Sequence, residues 1–194
     1  SMVCSSLRGQ TGLRGYKLVG ISGSVGASCS VALICGRSRA ELLFSWSLVH
    51  CGKAFIPLDP DLPLSSIEYR VGDAGADLMV CDSSKLSVAK AKVGLCTLHG
   101  AFEGPPARSC QKLRKGDVCH VVYTSGSTGA PKGVAASQSN LGVYLMWHMA
   151  CKFQSCEEDQ ILFSSSVSWD TSMMMRLCPL LAAHGCVVLP QGWQ

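Results

Sequence analysis

The residues best equipped for chemistry lie together in Tyr123-Thr-Ser-Gly-Ser-Thr-Gly-Ala-Pro-Lys-Gly133. Gly126 and Gly129 let the backbone turn closely around a ligand, and the N–H groups exposed in such a turn form an anion-binding nest. Thr124, Ser125, Ser127 and Thr128 add short hydroxyl donors, and Lys132 adds a mobile positive charge. Nothing after Tyr123 in the run is bulky or acidic, so a phosphate chain fits it better than any other common ligand. The G-x-x-x-x-G-K-[ST] loop of nucleotide triphosphatases does not fit. Counted from Gly126, its second glycine falls on Pro131, and Lys132 is followed by Gly133 instead of a hydroxyl residue. The plain alternative is a Ser/Gly turn that binds nothing; the ordered ending Pro-Lys-Gly weighs against it.

A loop of this kind must be held by regular elements, and the sequence supplies candidates on both sides. Val118-Cys-His-Val-Val122 reads as a strand running into the loop, and Asn140 to Lys152 as a helix after it. Upstream, Val31-Ala-Leu-Ile-Cys35, Ala54-Phe-Ile-Pro-Leu58 and Leu78-Met-Val-Cys81 read as strands, with Pro57 pushing the second toward an edge or an end. Glu41 to Cys51 reads as a buried helix stopped by Gly52. Ser65-Ser-Ile-Glu68 has the spacing of a capping box opening a helix that ends near Gly75. Downstream, Ile161-Leu-Phe163 and Cys186-Val-Val-Leu189 read as strands around a helix from Thr171 to His184, kinked at Pro179. Strands alternating with helices predict an α/β fold, a parallel-rich sheet with helices on both faces.

Composition bounds the rest. The chain has 194 residues, 47% hydrophobic and 15% charged, with net charge +4. That is enough to bury roughly two thirds of the unfolded surface without disulfides or metal, and too apolar for a disordered chain. The weak positive balance argues neither for nucleic acid nor for a membrane surface. Lysines and arginines are scattered through 82–117 among Gly94, Gly100 and Gly104-Pro-Pro106, a pattern that reads as a connecting region. The twelve cysteines include no C-x-x-C, and several sit inside apolar runs; they read as reduced thiols of a cytoplasmic protein. Cys151, Cys156 and His148 make a weak metal hint, and no metal site is assigned. Leu18 to Gly36 is uncharged but too rich in Ser and Gly for a spanning helix.

The loop string through Val134 resembles the phosphate-loop signature of the adenylate-forming (AMP-binding) superfamily, most closely the amino-acid adenylation domains of nonribosomal peptide synthetases. Val49-His-Cys-Gly-Lys-Ala-Phe-Ile-Pro-Leu-Asp-Pro60 is similar to that family's LKAGGAYVPLDP block, and Pro63, Ile67, Tyr69 and Asp73-Ala-Gly-Ala76 continue the pattern. The resemblance implies that residues 29–194 are the first part of the large N-terminal adenylation domain, and leaves 1–28 unassigned. It implies that a carboxylic acid, expected to be an amino acid, is activated by Mg-ATP as an acyl-adenylate. Transfer would follow to a thiol, phosphopantetheine on a carrier-protein domain or coenzyme A. An acyl- or aryl-CoA synthetase and an inactive nucleotide-binding fragment are the alternatives.

The resemblance also implies roles. Thr124, Ser125, Gly126, Ser127, Thr128, Gly129 and Lys132 would bind the β- and γ-phosphates. In Ser168-Trp-Asp-Thr-Ser172, similar to the family's FDxS block, Asp170 would pair as a buried carboxylate with the substrate ammonium, and Thr171 and Met174 would line the side-chain pocket. Asp170 serves equally well as the N-cap of the helix from Thr171. Met175 stands where the family usually carries an acid, and Gln138 where it carries His. The family's ribose-binding and C-terminal lysine blocks are not among these residues, so no catalytic residue is assigned and the isolated chain is expected not to turn over.

Overall fold

The computed structural model describes residues 30–81, 94–97, 114–126, 129–151, 160–173, 175–176 and 186–188. The first strand, β1 (Ser30–Ile34), overlaps the apolar run expected to form it, shifted one residue early, and its neighbours β2 (Ala54–Leu58) and β3 (Leu78–Cys81) match theirs. Between them run helices α1 (Arg39–His50) and α2 (Leu64–Asp73). Next come β4 (Gly94–Thr97), β5 (Val118–Thr124), β6 (Lys132–Ser137), α3 (Gln138–Cys151), β7 (Gln160–Leu162) and β8 (Cys186–Val188). The six-stranded sheet has the order β4-β3-β1-β2-β5-β6, and β7 pairs with β8 in a separate two-stranded sheet. All pairings are parallel except β5 with β6.

Alternation along the buried strands divides the core. Val31, Leu33, Cys35 and Phe55 pack with Phe44 and Leu48 of α1 and Leu141 and Leu145 of α3. Ala32, Ile34, Ile56 and Leu58 pack with Ile67 and Val71 of α2. The sheet is therefore covered on both faces, as the period-2 pattern of doubly buried strands requires. Cys35, Cys81 and Cys119 are buried as small hydrophobes, and burial pushes the Cys119 thiol up to about 12.

Four details depart from the sequence-based expectations. Pro57 is not on an edge: β2 lies between β1 and β5, with Pro57 opposite Leu33. It is tolerated because the register with β5 is confined to Phe55 and His120, so its missing N–H falls beyond that pairing. The capping box does not form. Helix α2 begins two residues early, at Leu64, with Pro63 in place of Ser65 at the N-cap and no side-chain cap. Ser65 thus lies inside the first turn, and the Pro63 carbonyl accepts from the Ser66 and Ile67 amides. Within the stretch expected only to connect, Gly94–Thr97 forms β4 beside β3. Finally, the loop is followed by strand β6, not directly by a helix.

One irregularity sets up the site. In the β5–β6 ladder Val118 faces Ser137 and His120 faces Ala136, so Cys119 is an extra residue, a β-bulge. Cys119 packs with the α1/α3 side of the core, and the His120 ring next to it lies tilted against Phe55 of that same side, 6.1 Å between centroids. Val121 and Tyr123 then pack on the α2 side.

No helix among the described residues is long and apolar enough to cross a membrane. Among the described residues no group of three or more His, Cys, Asp or Glu could hold a metal ion. Pro179 and its expected kink, Cys156, and the 1–28 segment lie outside the described residues.

Candidate nucleotide and acid site

The phosphate-loop candidate is the tip of the β5–β6 hairpin. Tyr123 faces Gly133 and Thr124 faces Lys132 at the last pairs before the strands part. The loop beyond turns on a Gly129 N–H to Gly126 carbonyl bond of 3.0 Å. Its two glycines are needed for different reasons. A Cβ on Gly126 would stand 1.9 Å from the Ala130 carbonyl oxygen, an impossible approach. Gly129 has φ +87°, in the region side chains avoid. Thr124, Ser125 and Lys132 are exposed around this turn. Ser127 and Thr128 lie outside the described residues. An accessible turn closed by glycines, with hydroxyls and a lysine at its mouth and no carboxylate among its own residues, can receive a polyphosphate.

The hairpin is tied to α2. The Tyr123 hydroxyl donates to Asp73 Oδ2 at 2.7 Å, with the Arg70 carbonyl oxygen at 3.1 Å as a second acceptor. The Arg70 guanidinium sits over the Tyr123 ring, 5.5 Å from its centroid. Burial, then the bond to Asp73 and its charge, holds the Tyr123 phenol well above its ordinary range, so it remains a donor. The Tyr69 hydroxyl donates to the Pro131 carbonyl at 3.2 Å. Gly133 makes room: a Cβ there would press on the Tyr123 ring at 3.1 Å.

The second candidate, residues 163–176, is held differently. Ser166 donates to Asp59 Oδ2 at 2.7 Å, and the Asp59 amide donates to Ser168 Oγ at 2.7 Å. Arg37 donates to the Ser164 carbonyl at 2.5 Å. Residues 171–173 and 175–176 are helical. Arg176 is fully buried, pairs with Glu41 of α1 at 3.0 Å and donates to the Val167 carbonyl at 3.1 Å. Its backbone carbonyl accepts from the Trp46 indole. Burial pushes the Glu41 carboxyl up while Arg176 pulls it back. Among the described residues the two Glu41 oxygens and Arg176 Nε find no well-directed hydrogen bond. The contact is chiefly one of charge with charge.

Asp170 corrects one expectation: its residue is exposed, not buried. Its Oδ1 accepts from the Thr171 amide at 2.7 Å, and its carbonyl accepts from the Met173 amide at 2.9 Å. It thus sits at the helix start in a cap-like position with an oxygen to spare. Thr171 is exposed beside it, and Met174 lies outside the described residues. His120 links the two candidates. It is buried on β5 with Nδ1 lacking a hydrogen-bond partner among the described residues. Burial, aided by the Arg176 charge and opposed by Asp170, pushes its imidazole down to about 4. Sequence reasoning missed Glu41, Asp73, His120, Tyr123 and Arg176 as site supports. A charged residue inside an apolar helix, as at Glu41 and Arg176, was the available signal.

Comparison with known proteins places the chain in a family and a fold. Residues 22–194 match the family model described as AMP-binding enzyme. The chain is 31% identical over 172 residues to bacitracin synthase 3 of Bacillus licheniformis, covering 84% of this chain and 3% of that protein. It is 31% identical over 163 residues to vanchrobactin synthetase VabF of Vibrio anguillarum, covering 82% of this chain and 6% of that one. The fold matches ATP-bound MatB from Rhodopseudomonas palustris with TM-score 0.76 at 23% identity, over 87% of this chain and 36% of that one. It also matches the O-succinylbenzoate coenzyme A synthetase MenE from Bacillus subtilis in complex with ATP and magnesium, with TM-score 0.77 at 13% identity, over 96% and 49%. The chain thus spans a small part of the curated relatives and less than half of either structure. By the family-model match and the fold it shares with these enzymes, the chain belongs to the AMP-binding enzyme family.

Proposed function

We propose that this chain forms the phosphate-binding and part of the acid-binding side of an enzyme that activates an amino acid as its acyl-adenylate. The observation that carries the reading is the hairpin turn, where Gly126 admits no side chain, Gly129 needs positive φ, and Thr124, Ser125 and Lys132 stand exposed. Ser127 and Thr128 belong to the same turn in sequence. In the reaction a substrate carboxylate oxygen attacks the α-phosphorus of Mg-ATP. The bond to the bridging oxygen breaks, and pyrophosphate leaves with the electron pair. An anion approaches a polyanion, so the barrier is chiefly electrostatic, and fixed N–H dipoles with Lys132 offset the charge on the leaving group. Magnesium would arrive with the nucleotide, since the turn offers no carboxylate ligand of its own. A thiolate of phosphopantetheine or coenzyme A then attacks the acyl carbonyl and expels AMP. A carrier-protein domain is the acceptor expected for an amino acid.

Asp170 is the ammonium anchor in this reading, and Thr171 and Met174 border the side-chain pocket. The bond from the Met173 amide to the Asp170 carbonyl favours a second reading, in which Asp170 only starts a helix and the substrate is an acid without an amino group, as for a CoA synthetase. Pyrophosphate–ATP exchange by the full-length protein separates them. Lys132→Ala raises the KM for Mg-ATP in either case. Asp170→Ala suppresses exchange with amino acids more than with their des-amino analogues if it is the anchor. Equal loss with both substrate types rejects the anchor.

A further inference from the structure

The loop lies between Thr124 and Lys132, longer than the roughly two to five residues with which most hairpins close themselves. Its ends leave the ladder at Thr124 and Lys132, and contacts from a neighbouring helix add to that hold. Helix α2 reaches both. Tyr123 immediately precedes the first loop hydroxyl, and its own hydroxyl is taken by Asp73 at 2.7 Å. Pro131 immediately precedes Lys132, and its carbonyl is taken by Tyr69 at 3.2 Å. Tyr69 and Asp73 are four residues apart, on one side of a helix. The helix is seated by Ile67 and Val71, both almost fully buried, so the two contacts issue from a fixed body. Gly133 leaves the Tyr123 phenol its place: a Cβ there would stand 3.1 Å from the ring and 3.2 Å from its hydroxyl.

We propose that α2 is a brace for the phosphate loop, with Tyr69, Asp73 and Tyr123 as positioning residues that hold its two ends at the spacing a bound triphosphate needs. None of the three has to touch the nucleotide. Their effect is to order the loop before binding, so their loss is felt as weaker nucleotide binding. The proposal rests on the assignment of the loop to the phosphates of ATP.

The test is pyrophosphate–ATP exchange by the full-length protein, with KM measured separately for Mg-ATP and for the acid. Tyr123→Phe and Tyr69→Phe keep the rings and remove one hydrogen bond each. Each is expected to raise the KM for Mg-ATP about two- to tenfold, Tyr123→Phe more, with the KM for the acid and the melting temperature close to the parent values. Asp73→Ala is expected to match Tyr123→Phe, and Asp73→Asn, which keeps an acceptor for the phenol, to restore most of the loss. Lys132→Ala is the reference. If it raises the KM for Mg-ATP while both Phe variants leave it unchanged, the brace is wrong and the loop assignment stands. If Lys132→Ala has no effect on that KM, the loop assignment fails and takes the brace with it. Equal rises in both KM values for the Phe variants reduce the tyrosines to general structural support and overturn the proposal.

Discussion

The two halves of the site are held by opposite means. The proposed phosphate side is an exposed hairpin steadied from outside by neutral phenol hydroxyls, Tyr123 on Asp73 and Tyr69 on the Pro131 carbonyl. The proposed acid side, the segment that leads to Arg176, is anchored from beneath by a fully buried ion pair, Arg176 with Glu41. The Tyr69 bond is exposed and the Tyr123 bond part-buried, and losing either phenol strands no charge in the core. A buried ion pair is different in kind. Its net contribution can be small, but removing one partner strands a charge in the core. The lesson is that tolerance to substitution differs sharply across a few strands: the phosphate side should lose binding before stability, and the acid side stability before binding.

The sharpest way to break this contrast is Arg176→Met. It leaves Glu41 buried without its partner, and chemical unfolding of the full-length protein should show about 3–5 kcal/mol lost. Adding Glu41→Leu should return most of it; if the double variant is as unstable as the single one, charge is not what holds residues 163–176. Next in size is the response to acid. The His120 imidazole is held down to about 4 in the folded protein, against about 6.5 unfolded. As pH falls through that window the unfolded chain takes up the proton and the folded one does not, so stability falls, by roughly 3 kcal/mol when the window has been crossed. His120→Phe should flatten that part of the profile; an unchanged slope assigns the acid sensitivity elsewhere. The smallest effect serves as a control. Ser38 caps α1, beneath the acid side, by accepting from the Glu41 amide at 3.1 Å. Ser137 accepts from the Asn140 amide at 3.2 Å where α3 begins, after the hairpin. Alanine at either should cost about 1 kcal/mol in unfolding. A large inequality between the two would place the asymmetry in the helix ends instead of the ion pair.

Much of this was legible from residue types. The apolar runs that became β1, β2, β3 and β5 announced themselves because doubly covered parallel strands are hydrophobic on both faces. The glycines at 126 and 129 were legible because backbone approach and positive φ leave few other choices. β6 was not legible. Lys132-Gly-Val-Ala-Ala-Ser137 has neither alternation nor many β-branched residues, and it is a strand because β5 offers it a ladder. β4 was hidden for the same reason: Gly94-Leu-Cys-Thr97 is short and sits among turn residues. How the supports of the site pair was not legible, because each pair is long-range. Nothing local in Tyr123 names Asp73, and nothing in Glu41 names Arg176.

The extra residue at Cys119 gives β5 a small reserve of length, and where that reserve sits decides which deletions the strand can absorb. Side chains alternate along a regular strand, yet Cys119 and His120 both address the layer of α1 and α3, while Val121 and Tyr123 address that of α2. Excising Cys119 would restore plain alternation and leave His120 and Tyr123 in their own layers, at the cost of one small core side chain. Excising Val121 would also let the ladder close, but only by swinging His120 across the sheet, away from Phe55. The strand is therefore forgiving of shortening at one position and not two residues further on.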